Sequence, residues 1–110
     1  MTSLNNPQHK SLAAGRWQTL TLAEQLGNIG SEFSRALNAK RQGNVERFEG
    51  SVMRFFELMD LTLVDRRWKG NRRRELARTR EQAAAEFETA APGGLQKYFD
   101  QFALVARARR

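Results

Sequence analysis

Cysteine is absent from this chain. That removes disulfides, thiolate metal sites and cysteine nucleophiles at one stroke, and it agrees with a reducing compartment. Histidine occurs once, as His9, in a polar and aperiodic stretch. A histidine-based metal site or acid–base pair therefore has nothing to build on. Proline is nearly as scarce. Pro7 and Pro92 are the only two, and the long stretch between them contains no residue that breaks a helix outright. No apolar run approaches the roughly 18 residues that suggest a membrane span, and segment 1–15 lacks the apolar stretch of a signal peptide. The expected location is cytoplasmic, with no membrane involvement.

Reaction motifs are missing as well. There is no phosphate-binding glycine loop and no Glu-x-x-His pair of the di-iron bundle type. Asp60 and Asp65 are the nearest approach to a carboxylate pair, but their spacing makes them diverge on a helix. The reading is of a protein that is not an enzyme and has no cofactor, no metal and no identifiable small-molecule substrate.

What the chain does have is helical periodicity. Its 110 residues suit one domain. Residues 1–20 read as a flexible leader. Thr21 and Glu24 form a capping-box pair. They open a first helix with the apolar stripe Leu22, Leu26, Ile29, Phe33 and Leu37, closed by Gln42-Gly43. Asn44 caps a second helix with the stripe Val45, Phe48, Val52, Phe55, Phe56, Met59 and Leu63. Gly70 and Asn71 supply a stop and a fresh cap. A third helix follows from about Arg72 to Ala90, on Leu76, Ala83 and Phe87. Ala91-Pro92-Gly93-Gly94 is a break. The fourth helix carries Leu95, Tyr98, Phe99, Phe102, Val105 and Ala106 on one side and ends in the basic tail 107–110. Short turns make sequential helices antiparallel. The fold class is thus all-α, an antiparallel up-down-up-down four-helix bundle over residues 21–110. The weaker alternative docks only the first two helices.

Three features exceed what a simple bundle needs. The second helix has apolar surface to spare. Leu58 lies about 60° and Leu61 about 120° from Phe55, and Met53 and Val64 sit nearly opposite the core. Self-association through this face competes with the plainer reading of scattered surface hydrophobes. The first helix carries Ala23, Gly27, Gly30 and Ser34 beside its core stripe, and Gly50 sits inside the second. Glycine inside a helix costs about 1 kcal/mol relative to alanine, so these positions point to a closely approaching backbone, in the same chain or in another subunit. The third feature is Arg80, about 40° from Leu76, which must either snorkel to solvent or find a carboxylate partner. Asp60 and Glu32 are the candidates.

Charge is the most lopsided property. The net charge is +7. Between residues 66 and 80 stand Arg66, Arg67, Lys69, Arg72, Arg73, Arg74, Arg78 and Arg80 against one acid, Glu75. This one segment accounts for the whole surplus, and the rest of the chain balances. Arg72, Arg73 and Arg74 fall at the start of the third helix, where cations oppose the dipole. A bound anion offsets that, and arginine suits phosphate. Trp68 can stack on a base or staple the turn to the bundle end. Arg78 has Glu75 and Glu81 at helical spacing. Arg66, Arg67, Trp68, Lys69, Arg72, Arg73, Arg74 and Arg78 are the candidate nucleic-acid-binding residues. Gly27, Gly30, Gly50, Met53, Leu58, Leu61 and Val64 are the candidate oligomer interface.

The stretches Leu20-Thr-Leu-Ala-Glu-Gln-Leu-Gly-Asn-Ile-Gly-Ser-Glu32 and Leu58-Met-Asp-Leu-Thr-Leu63, with Arg67-Trp-Lys-Gly70, resemble a group of uncharacterised bacterial cytosolic four-helix-bundle proteins. That group is similar in fold to the ribosomal RNA intervening-sequence proteins and to the accessory variability determinant of diversity-generating retroelements. The resemblance covers about residues 17–107. It implies a ring-shaped homopentamer, and in some members a basic surface for nucleic acid or a reverse transcriptase. The better-studied relatives carry an Asn-Ile-Ala-Glu-Gly-like motif, which Asn28-Ile29-Gly30 matches only in part. The resemblance implies no catalytic residues. The functional expectation is a non-enzymatic homo-oligomeric bundle, pentameric by resemblance, presenting basic patches to nucleic acid or a ribonucleoprotein partner. The alternative is a scaffold whose arginines meet an acidic protein.

Overall fold

The computed structural model describes residues 15–89 and 93–108, and all regular structure among them is helical. Helix α1 spans Leu22–Arg41. The Glu24 amide donates to the Thr21 hydroxyl at 3.1 Å, and the Thr21 amide donates to the Glu24 carboxylate at 2.9 Å. Two of the amides that a helix start leaves open are thereby satisfied. The helix closes on Gly43, whose φ is +72°. This left-handed residue lets the Asn44 amide reach back to the Ala39 carbonyl at 2.9 Å.

Helix α2 spans Val45–Leu63, and the Asn44 side chain accepts from the Arg47 amide at 3.1 Å. Helix α3 spans Gly70–Glu88. Its start differs from the sequence expectation. Lys69 holds the cap position without a side-chain bond, and Asn71 lies inside the first turn, where it accepts from Arg74. Gly70, at φ +58°, turns the chain into the helix in place of a polar cap. The helix stops at Glu88, two residues short of the expected Ala90. Helix α4 spans Leu95–Ala108. His9, the break at Ala91-Pro92 and the end of the basic tail lie outside the described residues.

The core is aromatic. One phenylalanine from each of α1 to α4 joins a cluster around Phe33 and Phe55 at its centre. Phe33 of α1 lies 5.9 Å from Phe55 of α2, 5.3 Å from Phe87 of α3 and 5.4 Å from Phe99 of α4. Phe55 and Phe87 are 5.2 Å apart, edge to face. Leu26, Ile29, Met59, Leu76, Ala83 and Leu95 are buried with them, as are Trp17, Ala23, Ala36 and Ala39. Leu22, Leu37, Phe48, Val52, Phe56, Leu63, Tyr98 and Phe102 form a half-buried rim. Val45 and Val105, expected in the stripes, are exposed. Val45 is the first residue of its helix, and Val105 falls in the last turn of α4.

Helix α1 packs along both α2 and α4. Its small-residue stripe explains the α4 side. A Cβ on Gly30 would stand 2.5 Å from Phe99 Cβ, and one on Gly27 would stand 3.3 Å from Ala103 Cα. The close approach signalled by Gly27 and Gly30 is therefore made inside the chain, and a place for these two at a subunit interface gives way to it. The packed chain also begins earlier than Thr21. Trp17 is buried in the core, so residues 16–20 are not leader.

Candidate basic turn and association face

The turn between α2 and α3 is fastened by a buried polar network. Gln25 sits on α1 beside Leu26 and is fully buried. Its Nε2 donates to the Trp17 carbonyl at 3.0 Å and to Asp65 Oδ2 at 3.1 Å, and its Oε1 accepts from Trp68 Nε1 at 2.9 Å. Trp17 Nε1 donates to Thr62 Oγ1 at 2.9 Å, and the Thr62 hydroxyl donates in turn to the Leu58 carbonyl at 2.9 Å. Each of these buried donors has a partner, as burial requires. Asp65, only 3% exposed, is the anionic centre. It accepts from the Arg67 amide at 3.1 Å and from the Arg67 guanidinium at 3.0 and 2.7 Å. Those bonds hold the Asp65 carboxyl at a pKa of about 2, against the opposing effect of burial. Arg67 also donates to the Leu20 carbonyl at 2.7 Å and lies over the Trp68 ring at 4.5 Å.

This network separates the basic segment into two groups. Arg67 and Trp68 fasten the turn, so of the two roles open to Trp68 the structure has the staple. Their side-chain hydrogen bonds are made within the chain. The remaining cations, apart from the half-buried Arg80, are exposed. Arg72 pairs with Glu75 at 2.6 Å, Arg74 donates to Asn71 at 2.7 Å, and Arg73 donates to the Leu63 carbonyl. Pairing of Glu75 with Arg72 takes up one of the two carboxylates that spacing offered Arg78, and Glu81 does not pair with it either. Arg66, Lys69 and Arg78 form no side-chain hydrogen bond or ion pair with the described residues.

Arg80 stands apart from that group. Its Nε meets Asp60 Oδ1 at 2.8 Å, and its guanidinium lies 4.7 Å from the centre of the Phe56 ring. Asp60 is thus the partner. Glu32 is committed elsewhere, to Arg35 and Arg54. Asp60 and Asp65 each face a different arginine and do not pair with one another.

The outer face of α2 carries a groove of about 760 Å³ that includes Gly50, Met53, Leu58, Leu61 and Val64. Met53 is 73% exposed and Val64 60%. Arg54, Glu57 and Asp60 rim it with charge of both signs. The five residues that the sequence singled out on this helix therefore share one surface. A second apolar pair, Leu104 and Val105, is exposed on α4. Helices α2 and α4 flank α1, and they meet across the core through Phe55 and Phe99 at 6.0 Å.

Among the described residues, no helix is long and apolar enough to cross a membrane, and no group of three or more His, Asp or Glu converges as metal ligands would. Comparison with protein-family models, curated proteins and solved structures finds no match.

Sequence reasoning missed the Gln25–Asp65 network. A signal was present. Gln25 is a polar residue next to the apolar stripe of α1, and Asp65 stands two residues before an arginine at the end of α2. Both are marks of a satisfied buried polar site more than of a solvated face.

Proposed function

We propose that this chain is a non-enzymatic, cytoplasmic subunit of a homo-oligomer. Each copy is an antiparallel up-down-up-down four-helix bundle that associates through the outer face of α2 and presents its basic turn to nucleic acid or a ribonucleoprotein partner. The observation that carries the reading is the α2 groove. Apolar side chains left in water as a patch mark association surfaces, and here exposed Met53 and Val64 line one groove with half-buried Leu58 and Leu61. Charged residues at the rim fit the anatomy of such an interface. The groove is on α2, while Leu104 and Val105 expose a small apolar ridge on α4. A groove on one side and a ridge on another suit a head-to-tail contact, and such contacts form a ring where the rotation between subunits closes. The pentamer is the ring size implied by the family resemblance.

The anionic partner follows from Arg66, Lys69, Arg72, Arg73, Arg74 and Arg78, which crowd one bundle end beside the positive end of the α3 dipole. Assembly repeats that end once per subunit, so weak phosphate contacts combine through avidity. Phosphate-dominated binding of this kind weakens steeply with salt.

Light scattering of the purified chain tests the assembly. An oligomer is expected, with Met53→Asp shifting it towards monomer. A monomer at micromolar concentration overturns the reading. Filter binding to mixed RNA and DNA over a salt series tests the partner. Replacing Arg72, Arg73 and Arg74 together with glutamine should weaken binding and flatten its salt dependence. Unchanged binding in that variant removes nucleic acid from the proposal.

A further inference from the structure

We infer that the seam between the C-terminal half of α1 and the N-terminal half of α2 is a binding site for a phosphoryl group, separate from the basic turn. The cleft holds about 460 Å³ and is lined by Arg35, Asn38, Gln42, Arg47, Ser51 and Arg54 over Ala39. Two helical stripes face each other across it. Residues 35, 38 and 42 share one face of α1, and residues 47, 51 and 54 share one face of α2. The small, buried Ala39 and Ser51 leave the seam open where larger side chains would fill it.

The charge of the seam is what calls for a ligand. Helices in contact gain when opposite charges face one another, and lose when like charges do. Here Arg35 of α1 faces Arg47 and Arg54 of α2. Glu32 is the carboxylate that bonds to this group, reaching Arg35 Nη1 at 2.9 Å and Arg54 Nε at 3.2 Å. One negative charge thus stands against three positive ones. Glu32 also fixes the direction of two guanidinium forks while occupying few of their donors, since each fork has five. Arg47 forms no side-chain hydrogen bond or ion pair with the described residues.

The neighbouring polar groups add donors of the same kind. Asn38 gives its carbonyl oxygen to Arg41, which leaves its amide N–H groups to point elsewhere. Ser51 accepts from Arg54 at 3.4 Å and keeps its own proton. A ligand met by donors on several sides is an oxyanion with several acceptor atoms. Planar forks match phosphate oxygens two at a time. The phosphoryl group belongs either to a free phosphorylated molecule or to the backbone of a nucleic-acid strand. The cleft lies along the half of α1 remote from Gln25, and hence remote from Trp68 and the turn at 66–69.

Calorimetric titration of the full chain with inorganic pyrophosphate at low salt tests the site. Saturable binding is expected. Arg35→Gln and Arg47→Gln should each weaken it about tenfold, as loss of a charged hydrogen bond implies. Arg47→Lys should fall between, because it keeps the charge and loses the fork. The triple glutamine variant at Arg72, Arg73 and Arg74 should bind as the parent does. Both single positions are exposed, so unchanged thermal midpoints will show that the variants are folded. No saturable binding, no effect of Arg47→Gln, or equal loss in the triple variant overturns the proposal. Competition with a single-stranded oligonucleotide then names the source. Displacement that disappears in Arg47→Gln assigns strand phosphates, and simultaneous binding assigns a free phosphorylated molecule; either result upholds the cleft. The site does not depend on self-association or on the basic turn, and its failure leaves both untouched.

Discussion

Glycine to alanine should have opposite effects at two helical positions of this protein. On helix propensity alone, alanine is better than glycine by about 1 kcal/mol at either Gly30 or Gly50. At Gly50 the new Cβ would meet nothing nearer than the Arg54 guanidinium at 3.5 Å, an ordinary contact with a flexible end. Gly50→Ala should therefore stabilise by about 0.5–1 kcal/mol. At Gly30 the new Cβ would stand 2.5 Å from Phe99 Cβ, 3.1 Å from Cγ and 3.6 Å from Cα. Carbon atoms settle at about 3.5–4.0 Å, so α1 and α4 must part by about 1 Å. Rotating Phe99 does not help, because the clash is with its Cβ. Overpacking of this kind costs about 1–3 kcal/mol. Separation also loosens Phe99 from Phe33 and Phe55, now 5.4 and 6.0 Å away. Set against the propensity gain, Gly30→Ala should destabilise by about 1–2 kcal/mol. Urea unfolding followed by far-ultraviolet circular dichroism, at one protein concentration, measures both. A Gly30→Ala variant as stable as the parent would refute the seating of α4 on α1 through this glycine.

Two further outcomes concern the polar network. The Asp65 carboxyl is lowered from 3.8 to about 2. A depressed folded-state value stabilises above the unfolded-state value, and the benefit is lost as pH falls through the folded-state one. Acid titration should reveal a loss on the order of 2 kcal/mol between about pH 4 and pH 2. Asp65→Asn should lack that step and be less stable at neutral pH; an identical acid limb in the variant counts against the assignment. Gln25→Leu strands the Trp68 indole N–H and one side of Asp65, and leaves the Trp17 carbonyl with the Leu20 amide alone. Buried groups left without partners cost about 1–3 kcal/mol each, so a loss of several kcal/mol and a red shift in tryptophan emission are expected. Native stability with native emission would mean that the network contributes nothing.

Local chemistry was legible in the sequence, and long-range pairing was legible only in part. The capping box at Thr21, the cap at Asn44 and the stop at Gly43 depend on neighbours a few residues away, and they appear where the pattern puts them. The Asn71 cap failed because the helix begins one residue earlier, at Gly70, which puts Asn71 inside the first turn. Helical angle placed Arg80 within an apolar stripe and so called for snorkelling or a partner, but choosing Asp60 over Glu32 needed the packing of α3 on α2. The glycines of α1 announced a close neighbour without saying which helix it was. The basic segment was legible as composition and not as geometry. Eight cations in a row of residues look alike on paper, yet one of them is bound to a buried carboxylate beneath the surface. The arginine cleft went unread because its stripes lie on two helices, and each stripe alone is an ordinary solvated face.

The four central phenylalanines have a consequence for how this chain tolerates change. Phe33, Phe55, Phe87 and Phe99 each belong to a different helix, and each touches at least two of the others. Residues in mutual contact do not contribute independently. A smaller side chain at one position opens space that its neighbouring rings border, and a larger one crowds them. Replacements at these positions should therefore be tolerated in compensating sets and not one at a time. Substitutions distant in the chain, from residue 33 to residue 99, would then travel together as if they were neighbours.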